Sequence, residues 1–576
     1  MNMKKLPIGV SDFRDMVTGD YYYVDKTLFI KDVLDKGDKI LLVPRPRRFG
    51  KTLNLSMMKY FYDCCPQVGP VGPLDVKEKG PGNTYKTLFA NLAISRAGKE
   101  YLDKMGQYPV IFLTFKNIKE LNWEACLFKI KQLIQEEYSR HDYLLESPEL
   151  KVHERDYYQR VINLNGHIGD YENSLGKLLI FLNRYYGQRV VILIDEYDAP
   201  VHAGYKHGYY DEIINFTRNF LCGGLKDTDQ YLEKSILTGI MRIAQESIFS
   251  GLNNPGVYTL LSEAFNDKFG FTEMEVETLL REFQAAHRYE EVQEWYNGYR
   301  FGGRVIYNPW SIINFMAEGA KKFKPYWIHT ADNEIVESLL SGGGKELKEE
   351  LEVLIRGESI EKAIDEHIVL KNIPLRENLL WSFLLMGGYL KQTAERLDRI
   401  TGKMYYTLSI PNLEVKTIYM EIVENFFSGK IENRELEMML KALLEGNIDV
   451  FAEIFSGYVL KSMSFFDTGT EPEKVYHAFV MGLFLWLSAG YEVKSNRESG
   501  YGRYDIMLIP REQTKLGFII EFKKTRPKET LETAVKSALA QIEAKKYESE
   551  LLQRGIKNYK KLAIVFKGKE VTVKEG

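Results

Sequence analysis

Lys39-Ile40-Leu41-Leu42-Val43-Pro44-Arg45-Pro46-Arg47-Arg48-Phe49-Gly50-Lys51-Thr52 is the stretch that decides the fold. Ile40 to Val43 is an apolar run with the length of a buried strand. A tight loop follows, and Gly50-Lys51-Thr52 then opens a segment with helical spacing at Leu53, Met57, Tyr60 and Phe61. In the order strand, loop, helix, a Gly-Lys-Thr triplet predicts phosphate binding, because backbone N–H groups at a helix N-terminus converge on phosphate oxygens. Lys51 is expected to reach the β- and γ-phosphates, and Thr52 to place its hydroxyl on Mg²⁺. The general pattern is Gly-x-x-x-x-Gly-Lys-Ser/Thr, and Arg45 stands at its first glycine position. The triplet therefore needs support from the rest of the chain.

That support comes at Arg189-Val190-Val191-Ile192-Leu193-Ile194-Asp195-Glu196-Tyr197-Asp198. An apolar run ending in two acids has the form of a central parallel strand with a site at its C-terminal end. Asp195 is expected in the Mg²⁺ shell, and Glu196 is placed to polarise the attacking water. A further strand over 235–237 ends at Thr238-Gly239. Thr238 is the candidate sensor of the γ-phosphate, with Arg242 the weaker candidate. Strands are also expected over 110–115 and 258–261, and helices over 28–34, 122–138 and 171–186. The alternation implies an open parallel sheet. Asp25 or Thr27 reads as an N-cap for the helix at 28, with Gly37 as its stop. A Gly/Pro-rich excursion occupies 66–82.

From Thr272 the pattern turns helical. Thr272-Glu273-Met274-Glu275 is a capping box. Trp295-Tyr296-Asn297-Gly298-Tyr299-Arg300-Phe301-Gly302-Gly303 is an aromatic-glycine turn, and Pro309 follows as the first residue of a helix. These aromatics read as packing rather than base stacking. Helices run to Tyr389, and a short strand over 405–408 precedes a helix started by Pro411. Helices plus a small hairpin suggest a helical or winged-helix lid.

Residues 1–430 resemble the bacterial AAA-ATPase-like family that is often fused to a restriction-type nuclease domain. The matching residues are Tyr23-Val24-Asp25-Lys26-Thr27, Arg45 to Thr52, Leu193 to Asp198, Tyr296-Asn297-Gly298-Tyr299 and Tyr307-Asn308-Pro309-Trp310. The resemblance accounts for the missing first glycine, since Arg-Pro-Arg-Arg-Phe-Gly-Lys is that family's loop. It implies that Arg47, Arg48, Phe49, Gly50, Lys51 and Thr52, together with Asp195 and Thr238, hold ATP. Two arginines and two prolines beside the phosphates leave open whether ATP is turned over or only held.

The last hundred residues carry a second candidate site. A helix over 475–488 leads to strands at 491–495, 502–509 and 517–524, then a helix over 531–547 and a closing strand over 562–566. Amphipathic helices over 431–470 read as a connector. In Glu521-Phe522-Lys523 the strand period of two puts Glu521 and Lys523 on one face. Asp505, from the neighbouring strand, can share a Mg²⁺ with Glu521, because Mg²⁺ takes a few carboxylate oxygens together with water and phosphate oxygens. Lys523 would position or activate the attacking water. The element order and the stretch Ser495 to Asp505 resemble the PD-(D/E)xK nucleases, whose motif carries over onto Asp505, Glu521 and Lys523. Gln541 is a further helix-borne candidate, and Glu498 an additional carboxylate. Lys523, Lys524, Arg526, Lys528, Lys545 and Lys546 could bind phosphates.

The fold class expected is α/β: a P-loop NTPase parallel sheet with a helical or winged-helix lid, plus a C-terminal restriction-endonuclease-like αβββαβ domain. The expected division is 1–270 ATPase, 271–430 lid, 431–472 connector and 473–576 nuclease. The expected function is an ATPase that gates a Mg²⁺-dependent nuclease. The residues imply a phosphodiester substrate, and the resemblance implies DNA. The alternative is a nucleotide-operated switch or scaffold whose C-terminal domain binds nucleic acid or a partner without cutting. Net charge is −3 over 576 residues, so any nucleic-acid surface is local. Cys64, Cys65, Cys126 and Cys222 have no metal-ligand spacing, which fits a reduced, cytoplasmic chain. No stretch is long enough to span a bilayer. Oligomeric state stays open, a homo-oligomer included, because no arginine finger can be named.

Overall fold

The computed structural model describes residues 4–64, 85–242, 255–327, 334–341, 345–428, 433–462, 484, 487, 490–495, 498–499, 502–503, 505–526, 529–567 and 570–576. Two compact units emerge: Met1–Ile335 with Glu361–Val415, and Val336–Ile360 with Lys416–Gly576. The Gly/Pro-rich stretch expected at 66–82 lies outside the described residues. So does the helix expected at 475–488, apart from Phe484 and Leu487.

The first unit is built on a five-stranded parallel sheet. Its strands are β1 (Ile40–Leu42), β2 (Val110–Thr114), β3 (Val190–Asp195), β4 (Leu232–Leu237) and β5 (Gly256–Val257), in the order β2-β3-β4-β1-β5. β1 and β3 are buried at every residue, as expected of parallel strands covered on both faces. β4 lies between β1 and β3. Leu42 and Ile194 are both in register with Leu237, so the three C-terminal ends meet at one edge of the sheet.

The strand expected at 258–261 is instead β5, two residues earlier. Tyr258 N still donates to Leu42 O at 2.9 Å. The Tyr258 carbonyl then accepts from the Arg45 guanidinium at 2.7 Å, and the chain turns at Leu260–Leu261. The helix at 28 runs Leu28–Asp35, and Thr27 makes no side-chain cap. Asp25 accepts from Thr27 N, Thr27 Oγ1 and Ala93 N, which ties down the segment before the helix. The helix stops at Lys36, one residue before Gly37, because Lys36 is already extended.

Three further strands follow: β6 (Phe271–Thr272), β7 (Tyr299–Phe301) and β8 (Arg304–Tyr307), which form a sheet in the order β6-β8-β7. The Thr272–Glu275 capping box is present, and Lys26 Nζ reaches the same Glu275 carboxylate at 2.7 Å. A Cβ on Gly298, at φ +107°, would lie 2.2 Å from Pro411 O, so the aromatic-glycine turn needs glycine there. β9 (Ile360–Ala363), β10 (Lys391–Leu397) and β11 (Met404–Ser409) form another sheet in the order β10-β11-β9.

The second unit holds a mixed sheet of β12 (Tyr491–Ser495), β15 (Ile506–Pro510), β16 (Gly517–Lys524), β17 (Tyr559–Lys567) and β18 (Glu570–Glu575), in that order. β13 (Glu498–Ser499) and β14 (Gly502–Arg503) make a separate small hairpin. Only the β16–β17 pair is parallel, because the helix Leu531–Lys545 crosses between them. Strand alternation divides the core. Ile506, Leu508, Phe518 and Ile520 pack with the helices Asn433–Leu444 and Ile448–Ser462, while Met507, Ile509 and Ile519 pack with Ile542 of the crossover helix.

Candidate functional site

At the C-terminal edge of the parallel sheet the chain after β1 folds back on itself. Arg45 N donates to Gly239 O at 3.0 Å, which stitches the loop to the end of β4. The Arg45 side chain turns inward and is fully buried. Its guanidinium donates to the carbonyls of Pro44, Tyr258 and Phe265 and lies 5.2 and 5.3 Å from the Phe269 and Phe301 ring centroids. Burial lowers its pKa to about 9. Arg45 is thus a structural pin, which is how a bulky residue occupies the position of the first glycine. Gly50, at φ +85°, caps the helix Lys51–Tyr62. A Cβ there would meet nothing within 4 Å, so the backbone angle and not crowding calls for glycine.

Lys51 is buried, and its ammonium donates to the carbonyls of Arg45 and Pro46 at 3.0 Å each, which closes the loop. Burial lowers its pKa, and the charges of Glu196, Asp195 and Asp198 oppose that shift. Asp195 is fully buried at the end of β3. Its Oδ2 accepts from Thr52 Oγ1 at 2.6 Å, and its Oδ1 accepts from Thr238 Oγ1 at 2.7 Å. A carboxylate and a hydroxyl at the mouth of a phosphate loop are hard oxygen donors that fit Mg²⁺. Glu196 follows at φ +48° and lines the cleft over the phosphate loop, as Thr52 does, whereas Asp195 and Thr238 lie behind it. Asp198 turns away and accepts from Ile240 N (2.7 Å) and Met241 N (3.2 Å), fixing the backbone beyond Thr238. Burial pushes its pKa up, but His202, the Ile240 amide and the Lys51 charge outweigh that, so its pKa is lowered.

The cleft over the loop has a volume of about 530 Å³ and is walled by residues far apart in the chain, among them Val10, Tyr22, Lys116, Asn117 and Trp310. Arg47, Arg48, Gly50, Lys51 and Thr52 all line it. Phe49 also borders it, but its ring is fully buried against Tyr299 and Phe301, at centroid distances of 4.9 and 5.1 Å. Phe49 therefore offers a ligand only backbone. Asp25 does not line the cleft.

In the second unit, Asp505 stands one residue before Ile506, which pairs with Ile520, so it lies opposite Glu521. Asp505 Oδ2 accepts from Phe522 N at 2.7 Å. Gln541 reaches down from the crossover helix: its Nε2 donates to Glu521 Oε1, and its Oε1 accepts from Lys523 Nζ at 2.8 Å. Glu521 Oε2 is buried and has no hydrogen-bond partner among the described residues. Burial and then the Asp505 charge push the Glu521 pKa upward. An unpartnered buried carboxylate oxygen beside a second carboxylate fits a divalent cation. Among the described residues no three or more His, Cys, Asp or Glu side chains form a metal cage. Mg²⁺ is commonly held by only one or two carboxylates.

Residues 7–249 match the family described as a predicted AAA-ATPase, and residues 471–576 match the PD-(D/E)XK nuclease superfamily. An AAA-ATPase-like region thus precedes a PD-(D/E)XK nuclease-superfamily region. The chain is also similar over nearly its whole length to an "Uncharacterized protein in vnfD 5'region" of Azotobacter chroococcum mcd 1. The two are 24% identical over 561 residues, covering 96% of this chain and 95% of that one. No helix of the described residues is long and apolar enough to cross a membrane.

In the first unit, beyond the matched AAA-ATPase-like region, the structure adds Trp310, which sequence reading assigned to packing. Asn308 Oδ1 caps it, accepting from its N–H at 2.9 Å, and its indole donates to Tyr326 O at 3.1 Å. Arg242 is half-buried, and burial lowers its pKa; it does not line the cleft. In the nuclease-superfamily region the structure adds Tyr547, whose hydroxyl lies 3.4 Å from Gln541 Nε2. Its only sequence signal is its place just past the end of the helix that carries Gln541. The side chain of Glu498 lies outside the described residues.

Proposed function

We propose that this chain is an ATP-dependent, Mg²⁺-using nuclease acting on DNA, in which nucleotide at the phosphate loop gates cleavage by the C-terminal region. The coarser statement, a nucleotide-dependent nuclease-type protein, follows from the two regions themselves. The observation that carries the finer reading is the cluster of Asp505, Glu521, Lys523 and Gln541, with one Glu521 oxygen buried and unpartnered among the described residues. A purely binding surface has no need to bury such an oxygen. The division we propose is an ATPase domain (1–270), a lid (271–430), a helical connector (431–472) that also walls the last sheet, and a nuclease domain (473–576).

In the front site, Lys51 and the amides of Gly50 to Thr52 bind the phosphates, Thr52 and Asp195 would hold Mg²⁺, and Thr238 fixes the Asp195 carboxylate. Glu196 accepts the proton of the attacking water. In the back site, Asp505 and Glu521 would hold the metal, which when bound supplies charge to the phosphoryl oxygens. Lys523 orients the water whose oxygen bonds to phosphorus as the bond to the 3′-oxygen breaks. Gln541 holds Lys523 and Glu521 in fixed relation.

The test uses purified full-length protein with linear and circular DNA and Mg²⁺, with and without ATP, beside Lys51→Ala and Lys523→Ala. The expected result is cleavage that requires Lys523 and responds to ATP only when Lys51 is present. Cleavage that survives Lys523→Ala refutes the site, and cleavage indifferent to ATP refutes the gating.

A further inference from the structure

We propose that Arg48, held on the face of Trp310, is a catalytic arginine supplied in cis, so that ATP hydrolysis in this chain needs no arginine from a second subunit. The inference rests on the reading of the front site as an ATPase and assigns the missing cation of that reaction.

Three independent observations converge. The first is backbone conformation. Among the described residues, eight non-glycine residues have positive φ, and two of them, Arg48 (+67°) and Glu196 (+48°), line the same cleft. The left-handed region is costly for residues with a Cβ, and such strain persists where the surroundings impose it, often at functional sites. The second is the state of the guanidinium. Arg48 is an exposed residue at the cleft wall, and its guanidinium carbon lies 4.2 Å from the Trp310 ring centroid, within cation–π range. Among the described residues it makes no hydrogen bond or ion pair, so all five of its N–H donors are uncommitted. The contrast with Arg45 is sharp, since Arg45 spends its donors on three carbonyls and never reaches the cleft. The third is electrostatic. Partial desolvation lowers the Arg48 pKa, and the charge of Glu196, the residue placed to take the proton from water, opposes that shift.

Trp310 makes this arrangement stiff. Its backbone is capped by Asn308, Pro309 fixes the helix start, and its indole N–H is tied to Tyr326 O. The platform therefore holds the guanidinium at the cleft wall without engaging its donors. In the reaction, the water oxygen bonds to the γ-phosphorus as the bond to the bridging oxygen breaks. The electron pair leaves with ADP, and one water proton passes to Glu196. Negative charge moves onto the bridging and γ-oxygens, where planar, bidentate donors stabilise it best. Arg48 is the catalytic residue in this scheme, and Trp310 the positioning residue.

The experiment measures phosphate release at saturating ATP by the full-length chain and the binding of fluorescent ATP and ADP analogues. Arg48→Ala is expected to lower kcat by on the order of 10³-fold, the size of an arginine-finger effect, with nucleotide affinity held within a few-fold. Binding of ADP with aluminium fluoride, a transition-state mimic, is expected to be lost in Arg48→Ala. Trp310→Leu is expected to lower kcat less, with recovery in Trp310→Phe, which keeps a ring under the cation. Wild-type turnover per chain is expected to be independent of protein concentration. Normal turnover by Arg48→Ala would overturn the inference, as would parallel loss of ATP and ADP binding with kcat unchanged. Turnover per chain that rises with concentration, or an equal kcat loss in Arg47→Ala with none in Arg48→Ala, would do the same. A wild-type chain that binds ATP without hydrolysing it fails this inference alone, whereas one that binds no ATP fails the broader reading as well.

Discussion

Glu414 offers a sharp test of the packing beneath the phosphate loop. It lies in the first turn of the helix Leu413–Ser428 and is fully buried. Its carboxylate accepts from Ser311 Oγ at 2.7 Å and from Trp327 N at 2.8 Å, and the Trp327 indole in turn donates to Arg47 O at 3.1 Å. Burial raises its pKa from 4.5 to about 8, and these hydrogen bonds only partly offset the shift. An acid whose folded pKa lies above its unfolded value contributes stability that is complete below the unfolded pKa and lost as pH rises through the folded one. The window here runs from about pH 4.5 to about pH 8. Glu414→Gln supplies a permanent neutral equivalent, keeps an acceptor for Trp327 N and offers an amide to Ser311. At 1.36 kcal/mol per pKa unit, the variant's stability relative to wild type should rise by about 3 kcal/mol between pH 6 and pH 9. Urea unfolding followed by tryptophan fluorescence reads mainly the correct unit, since five of the six tryptophans, Trp123, Trp295, Trp310, Trp327 and Trp381, belong to the first. A wild-type-to-variant difference that stays flat across that range would refute the argument, because Glu414 would then be ionised in the folded protein at neutral pH.

Thr238→Val conserves volume but removes the hydroxyl that donates to Asp195 Oδ1; a loss of about 1–3 kcal/mol in stability, from a buried acceptor left unpaired, is expected in thermal or urea unfolding, with weaker Mg²⁺–ATP binding by calorimetry. In the second unit, the raised pKa of Glu521 means that protons compete with metal. Mn²⁺ affinity measured by calorimetry without nucleotide should therefore climb with pH across the neutral range, and the climb should vanish in Glu521→Gln. A pH-independent affinity would count against Glu521 as a ligand.

Patterns confined to a few neighbouring residues were enough to read much of this fold. An apolar run followed by Gly50-Lys51-Thr52, and another closed by Asp195-Glu196, declare buried strands and a helix start, because burial and backbone propensity act along a short segment. The same holds for β16, where alternation alone puts Glu521 and Lys523 on one face. β10 went unread because Lys391 to Leu397 is exposed and polar along most of its length, and so has no alternation to detect. β18, with only Val573 buried, escaped for the same reason.

Tertiary structure alone decided who meets whom. The strand order puts β4 between β1 and β3, and so brings Thr238 onto Asp195 across 43 residues of sequence. It turned Arg45 and the Phe49 ring into the core while leaving Arg48 in the cleft, although all three belong to one loop. It carried Trp310 beneath Arg48, Tyr547 beside Gln541, and residues 336–360 into the second unit, away from their neighbours in sequence. Local patterning states what each segment must bury, but the partner that buries it is chosen by shape and hydrogen bonding over long sequence separations, which no window of neighbouring residues contains.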